Sequence, residues 1–229
     1  MVAPIIAWGL AVAAAALWTG AQAGFHICSM TGFLPPHYGY SAYAVVPLLF
    51  LAPGRMKLFA GFVLLLSQNR ASWVGAIAGW AWSRRTPARL AAAVLLAAFA
   101  VAGGLAFKPY GVRGDSVRIH IWKAAARQAV RAPGEFCIGV GGYVVTKAHS
   151  DVMQLAAERG WKIAALALLV LGWAFCRLPE SPAKAVVLAL SVQSFVDNRL
   201  HHPACAALYV AAWIAAFSVV KEGAALHAR

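Results

Sequence analysis

Apolar stretches separated by short, often basic turns make up most of the chain. Such stretches predict membrane-crossing helices, since a span needs about 20 mostly apolar residues and shorter ones fit where the bilayer thins. The pattern predicts eight spans in an all-α, polytopic transmembrane helix bundle. They cover residues 4–23, 38–52, 58–67, 71–82, 90–107, 163–176, 185–195 and 204–220.

One long polar segment, residues 108–161, interrupts the apolar pattern. It divides the chain into N-terminal transmembrane helices over 1–107, a partly helical outer loop over 108–161 and C-terminal transmembrane helices over 162–229. Within the loop, the periodicity predicts an amphipathic helix over 118–130, which a position flat on a lipid surface would explain. The residues near its apolar face are Ile119, Trp122, Ala126 and Val130.

A second polar helix is predicted after the glycine-rich turn at 139–143. Ser150 or His149 is suited to cap this helix, because a short polar side chain can accept a hydrogen bond from its first free N–H groups. Asp151 suits its first turn, where the helix dipole favours negative charge.

The composition is that of an integral membrane protein. The chain is 62% hydrophobic and 12% charged, against about 25% charged residues in soluble domains, and its mean hydropathy is +0.71. The net charge is +13, from 20 Lys and Arg against 7 Asp and Glu. The sequence contains no run of alternating basic and aromatic residues of the kind that binds nucleic acid. The excess of positive charge therefore favours anionic lipid headgroups or a phosphorylated substrate as binding partners.

The positions of Lys and Arg predict the orientation, because cytoplasmic loops carry an excess of them. With a cytoplasmic N-terminus and eight crossings, the first outer loop, residues 24–37, contains no Lys or Arg, and the C-terminus is cytoplasmic. Residues 1–23 lack the positive n-region of a signal peptide and are interpreted as a retained span. The predicted cytoplasmic turns and C-terminus contain Arg55, Lys57, Arg84, Arg85, Arg89, Arg177, Lys184, Lys221 and Arg229.

The run over 57–82 could form one helix or two, because polar residues 67–70 lie in its middle. One helix would place Arg70 at mid-membrane, where a charge is costly. A turn at the outer face avoids that cost, so eight spans are preferred to seven. Arg70, the loop 108–161 and the turn 197–202 then share the outer compartment.

The stretch 148–160 combines an imidazole, two carboxylates and an amide at helical spacing, directly before a span. A histidine at a helix start is often only a cap, but the position of His149 in a basic loop at the membrane favours a catalytic role. The ordinary pKa of a histidine side chain suits a general base. Asp197, His201 and His202 are interpreted as an outer turn rather than a metal site, because they lack a fourth ligand.

Three short motifs follow one another between roughly residues 56 and 220. They are the apolar run 64–73 closing on Arg70 and Trp73, the Arg-x-x-x-Trp stretch 118–125, and the glycine turn 139–142 followed by His149-Ser150 and Glu158-Arg159-Gly160. Their order and their placement among the spans resemble the O-antigen ligase/polymerase family, the membrane enzymes that join lipid-linked glycans.

The resemblance implies a metal-independent glycosyltransferase of the bacterial inner membrane that needs no cofactor. Its donor would be a glycan on undecaprenyl diphosphate, and other polysaccharide-assembly membrane proteins would be further partners. Arg70 and Arg118 would stabilise the leaving diphosphate, and His149 would act as general base on the acceptor hydroxyl. The residues expected to bind substrate are Arg113, Trp122, Gly139, Gly141 and Glu158.

Three alternatives stay open at this point. Polymerase and ligase are not separated, although the small size of the chain favours a polymerase. A non-catalytic relative that binds lipid-linked glycan or modulates a full-length enzyme is favoured by two observations. The predicted spans are short, and the family's members usually have ten or more spans where eight are predicted here. A small transporter is disfavoured, because the spans contain few ionisable residues.

Overall fold

The computed structural model describes residues 2–22, 38–67, 69–83, 111–140, 143–148, 150–197 and 199–227. Within these ranges the regular elements are helices apart from one short strand pair, which confirms the all-α class. In chain order, the elements are α1 Val2–Gln22, α2 Tyr38–Val45, α3 Leu48–Leu51, α4 Gly54–Ser67, α5 Arg70–Ser83, α6 Gly111–Arg131, β1 Ile138–Val140, β2 Tyr143–Val145, α7 Asp151–Arg159, α8 Trp161–Arg177, α9 Pro182–Val196 and α10 Pro203–His227.

The described helices overlap seven of the eight predicted spans, and the remaining one, 90–107, lies outside the described residues. By length and composition, only α1 among the helices described here could cross a bilayer, through Val2–Thr19. Helices α4 and α5 have 14 residues each, about 21 Å at 1.5 Å per residue against a hydrocarbon core of about 30 Å. The prediction of eight spans is therefore not supported. Shorter apolar stretches are Ala42–Leu51, Pro182–Val196 and Pro203–Val219.

The prediction of one helix over 38–52 is wrong. Helix α2 ends at Val45 and α3 begins at Leu48, with Pro47 at the N-cap position of α3. Proline has no backbone N–H and its ring clashes with the preceding turn, so it is tolerated at a helix start and not inside one. The apolar run continues through the break, which hides it from a hydropathy pattern.

The predicted break at 67–70 is confirmed. Helix α4 ends at Ser67 and α5 begins at Arg70. Asn69 caps α5, because its Oδ1 accepts a hydrogen bond from the backbone N–H of Ser72 at 2.9 Å. Trp73 ties the two helices together by donating from Nε1 to the carbonyl of Leu64 at 2.7 Å. Arg70 is thus the first residue of a capped helix.

The chain forms two compact units. The first comprises Met1–Ala100, Leu178–Gln193 and His202–Arg229, and the second comprises Val101–Arg177 and Ser194–His201. The predicted outer loop lies wholly within the second unit.

In the first unit, α5 and α9 approach so closely that their backbones are almost in contact. A Cβ atom on Gly79 would lie 2.7 Å from the carbonyl oxygen of Ala185, and one on Gly75 would overlap the carbonyl of Ala189. The buried hydroxyl of Ser72 donates to Oε1 of Gln193 at 2.7 Å on the same face. Small residues therefore allow this crossing, and one polar pair fixes its register.

In the second unit, α6 packs on α7 through one buried face. That face consists of Ile121, Ala125 and Ala129. The predicted apolar face is a different one, since Ile119 is 53% exposed and Val130 72% exposed, and its position on a lipid surface stays a prediction. The helix contains alanines on several sides, so it has two apolar faces, and the one in contact with α7 is buried.

A single residue joins α7 to α8. Gly160 has a φ of 87°, and its N–H donates to the carbonyl of Ala156 at 2.8 Å. This left-handed conformation is one that glycine adopts without the steric cost of a Cβ. The neighbouring turn is held on α7 by a hydrogen bond from the N–H of Gly134 to the carbonyl of Ala157 at 3.0 Å.

Candidate functional site

A hairpin and a buried glutamine hold the segment that leads to position 149. Strands β1 and β2 are antiparallel, with Val140 paired to Tyr143. Beyond them, Oε1 of Gln154 accepts a hydrogen bond from the N–H of Ala148 at 2.6 Å, and its Nε2 donates to Glu158. Because Gln154 is 2% exposed, these bonds are shielded from water and fix the segment 146–148 on α7.

Helix α7 begins with a side-chain cap, as predicted. The Oγ of Ser150 accepts a hydrogen bond from the N–H of Met153 at 3.3 Å. Ser150 is buried. The predicted placement of Asp151 in the first turn is confirmed as well.

Asp151 also binds the segment that follows α9. Its Oδ2 accepts hydrogen bonds from the backbone N–H groups of Arg199 and Leu200, both at 3.0 Å. Its Oδ1 lies 3.1 Å from Nδ1 of His201. One carboxylate thus joins two chain segments that are about fifty residues apart in the sequence.

A buried ion pair lies in the same turn. The guanidinium of Arg199 binds the carboxylate of Asp197, and Arg199 is 1% exposed. A charge pair buried in this way stiffens the turn, because breaking it would leave a charge without compensation in a poorly solvated place. Among the residues described here, no group of three potential metal ligands occurs.

The predicted catalytic residues are distributed over both units. Arg70, at the start of α5, belongs to the first unit, and Arg118 belongs to α6 in the second. The side chain of Arg118 and the whole of His149 lie outside what the structure describes. That these three residues meet in one pocket stays a prediction.

The predicted substrate-binding residues all belong to the second unit. Arg113 lies on α6, but its side chain is outside the described part, as is Gly141. Gly139 lies in β1, where a Cβ would have nothing within 4 Å, so space alone does not require glycine there. Trp122 packs against the core around Ile121, which accounts for it structurally and leaves a substrate contact as a prediction.

Glu158 has a structural partner and also lines a cavity. It accepts the hydrogen bond from Gln154, and its predicted contact with substrate stays a prediction. The cavity has a volume of about 370 Å³ and is lined by Gly134, Glu135, Glu158 and Arg159. A larger cavity of about 770 Å³ lies in the first unit and is lined by none of the predicted site residues.

Two contacts near the candidate site were not predicted from the sequence. The pairing of Gln154 with Glu158 follows from their spacing of four residues on a helix, a signal that was available. The contact of Asp151 with His201 joins positions fifty residues apart, and no local spacing indicates it. Arg199 had no distinguishing signal either, because its burial depends on the turn around it.

No protein-family model matches this chain, and neither the curated proteins nor the solved structures contain one with significant similarity to it.

Proposed function

We propose that this chain is a multi-pass glycosyltransferase of the bacterial inner membrane, of the O-antigen polymerase or ligase type. It transfers a glycan from undecaprenyl diphosphate to a glycan acceptor at the outer face. The observation that carries this proposal is the junction between α7 and α8. A polar helix bearing the candidate site is followed, after one residue, by a helix whose surface is apolar.

Helix α8 supports the membrane location. Ala164 is its one buried residue, although it contains large apolar side chains on every face. Apolar surface of this extent is unfavourable in water and marks contact with lipid or another protein. Arg177 lies 5.0 Å from the ring of Trp173 at the far end, an aromatic-cationic pair typical of a membrane interface. The exposed large side chains are Trp161, Ile163, Leu166, Leu169, Val170, Leu171 and Trp173.

The charge of α6 supports an anionic, lipid-linked substrate. Lys123, Arg127 and Arg131 are all exposed on this helix. A lipid diphosphate carries several negative charges, and arginine offers it fixed, paired donors that stay charged at every relevant pH. A helix lying at a membrane surface would therefore attract the donor through these bases, with Arg118 and Arg70 proposed as its direct contacts.

The proposed reaction needs a proton acceptor and a stabilised leaving group. The acceptor hydroxyl loses its proton to an imidazole, for which the resemblance indicates His149, and its oxygen bonds to the anomeric carbon of the donor. The bond from that carbon to the diphosphate oxygen breaks, and the diphosphate leaves with the electron pair. Guanidinium groups stabilise the charge that develops on it, so no metal ion is required in this scheme.

Alanine variants in a strain that lacks the chromosomal copy test the proposal. We expect His149→Ala and Arg118→Ala to lower the rate of glycan transfer by roughly 100-fold or more. Surface polysaccharide separated on a gel then loses its long bands or its attachment. A matched control on α6 is His120→Ala, since its side chain is exposed, and this variant should retain the wild-type pattern.

Unchanged polysaccharide in both site variants would contradict a catalytic role. A non-catalytic relative that binds lipid-linked glycan would then be the better description. Loss of long chains with accumulation of single repeat units indicates a polymerase, and loss of attachment with normal chain length indicates a ligase.

A further inference from the structure

The larger cavity, of about 770 Å³, lies where three helix ends of the first unit meet. Lys57 near the start of α4, Ser83 at the end of α5 and Pro182 at the start of α9 all line it. The positions of Lys and Arg predict that the turns before α4, after α5 and before α9 are cytoplasmic. These three helix ends lie together, as a shared side of the membrane would require.

Most of the cavity wall is apolar and aromatic. Phe50 of α3 contributes to it, as do Ile77 and Trp80 of α5, and Trp80 is 40% exposed. Pockets of about 300–1,000 Å³ are of the size that encloses a small molecule. A hydrocarbon occupant suits such a wall, since a polar group placed against it would lose its hydrogen bonds to water.

The charged side chains give the cavity a net positive charge. Lys57 is exposed, and no carboxylate pairs with it among the residues that the structure describes. Glu180 also lines the cavity, but its carboxylate lies 2.9 Å from Nζ of Lys184. Lys184 is buried and donates as well to the carbonyl of Leu178 at 2.9 Å. The charge of Glu180 is therefore compensated within the protein, whereas that of Lys57 faces the cavity.

We propose that this cavity binds an anionic phospholipid of the bilayer, with an acyl chain against the apolar wall and the headgroup phosphate at Lys57. This rests on the membrane location proposed above and not on the transferase activity. A lysine ammonium binds phosphate as a point charge, and basic pockets between helices on the cytoplasmic side bind anionic headgroups. The lipid-linked donor is a poorer candidate, because it reacts at the outer face and Lys57 is predicted on the opposite side.

The test uses the purified chain in micelles of an uncharged detergent. The probe is phosphatidylglycerol with a fluorescent acyl chain, and phosphatidylcholine with the same label is the zwitterionic reference. Fluorescence anisotropy of each probe gives its dissociation constant. We expect phosphatidylglycerol to bind about five-fold more tightly, the effect of one lysine near an anionic lipid. Added salt should remove this difference, because the charge of Lys57 is exposed and can be screened.

Two variants examine the charge and the space separately. Lys57→Gln should lower the affinity for phosphatidylglycerol to that for phosphatidylcholine. Arg55→Gln is its matched control, because it removes an exposed cation from the same helix outside the cavity, and it should keep the wild-type difference. Ala76→Phe fills the cavity and should abolish binding of both lipids. Ala78→Phe is its control, since Ala78 is also half-buried on α5 but does not line the cavity.

Three results would overturn this inference. The first is equal affinity for the two lipids, or the same loss in Lys57→Gln as in Arg55→Gln. The second is unchanged binding in Ala76→Phe. The third is displacement of the probe by undecaprenyl phosphate at a much lower concentration than by unlabelled phosphatidylglycerol, which would identify a polyprenyl lipid as the occupant.

The binding assay is independent of glycan transfer, so the two proposals can fail separately. If the lipid selectivity depends on Lys57 while His149→Ala and Arg118→Ala keep wild-type transfer, the transferase is wrong and the phospholipid site remains. If those two variants are inactive and the wild-type chain binds both lipids equally, the phospholipid site alone is wrong.

Discussion

Replacing Gly75 by alanine should destabilise the first unit. The added Cβ would lie 2.6 Å from Cγ of Gln193 and closer still to the carbonyl oxygen of Ala189. The glutamine side chain can rotate away, but the carbonyl belongs to the backbone of α9, so one helix has to move. Trimming Gln193 cannot relieve that contact.

The magnitude follows from two opposing effects. Overpacking a close contact costs about 1–3 kcal/mol, and the backbone neighbour here favours the upper half of that range. Alanine regains up to about 1 kcal/mol over glycine through helix propensity. Gly61→Ala is the matched control, since it also lies in a helix of this unit and a Cβ there meets nothing within 4 Å. The two variants should differ by about 2–3 kcal/mol.

Thermal unfolding of the purified protein in one detergent measures this difference. For a chain of this length, 1 kcal/mol corresponds to about 2–4 °C in melting temperature. Gly75→Ala should therefore melt about 4–12 °C below Gly61→Ala. Equal melting temperatures would refute the close approach of α5 and α9, and restored stability in the double variant Gly75→Ala/Gln193→Ala would refute the role assigned to the Ala189 carbonyl.

Two other predictions concern topology and the loop. A membrane-impermeant maleimide should label Cys137 in cells whose outer membrane alone is permeabilised, and Cys176 only after the inner membrane is broken. Both thiols are exposed, but the predicted orientation puts them on opposite sides of the inner membrane. Equal labelling of the two single-cysteine variants would contradict that orientation. Gln154→Ala should destabilise the second unit by about 1–3 kcal/mol, because it leaves the buried N–H of Ala148 without its acceptor. If Gln154→Ala melts no lower than Glu158→Ala, this account is wrong.

Helix positions could be predicted from the sequence because long apolar runs and helices coincide in this chain. The break at residues 67–70 was also predictable, since four polar residues interrupt an apolar run. The break at Pro47 was not recognised, because the residues around it are apolar and hydropathy does not register a missing N–H. Helix lengths were the least predictable quantity, and the count of eight spans depended on them.

The buried face of α6 was predictable only in part. Ile121 and Ala125 are buried while Ile119 is exposed, yet all three are apolar and lie within two turns. Periodicity identifies apolar faces but not which of two is in contact with a neighbour, because that depends on tertiary packing.

In the candidate site, local contacts could be predicted from the sequence and the long-range contact could not. The cap at Ser150 and the pair of Gln154 and Glu158 are local and follow from spacing. The contact between Asp151 and His201 arises from folding and has no sequence signal.

The single residue between α7 and α8 also limits how far α7 can lie from the start of α8. With Gly160 as the only residue between the two helices, the end of α7 and the start of α8 stay within about 7.6 Å of each other. If α8 is anchored in lipid as proposed, the height of the site above the hydrocarbon boundary is set by one glycine. A substrate whose diphosphate is tethered at a fixed height by its lipid would then always meet the site at the same level.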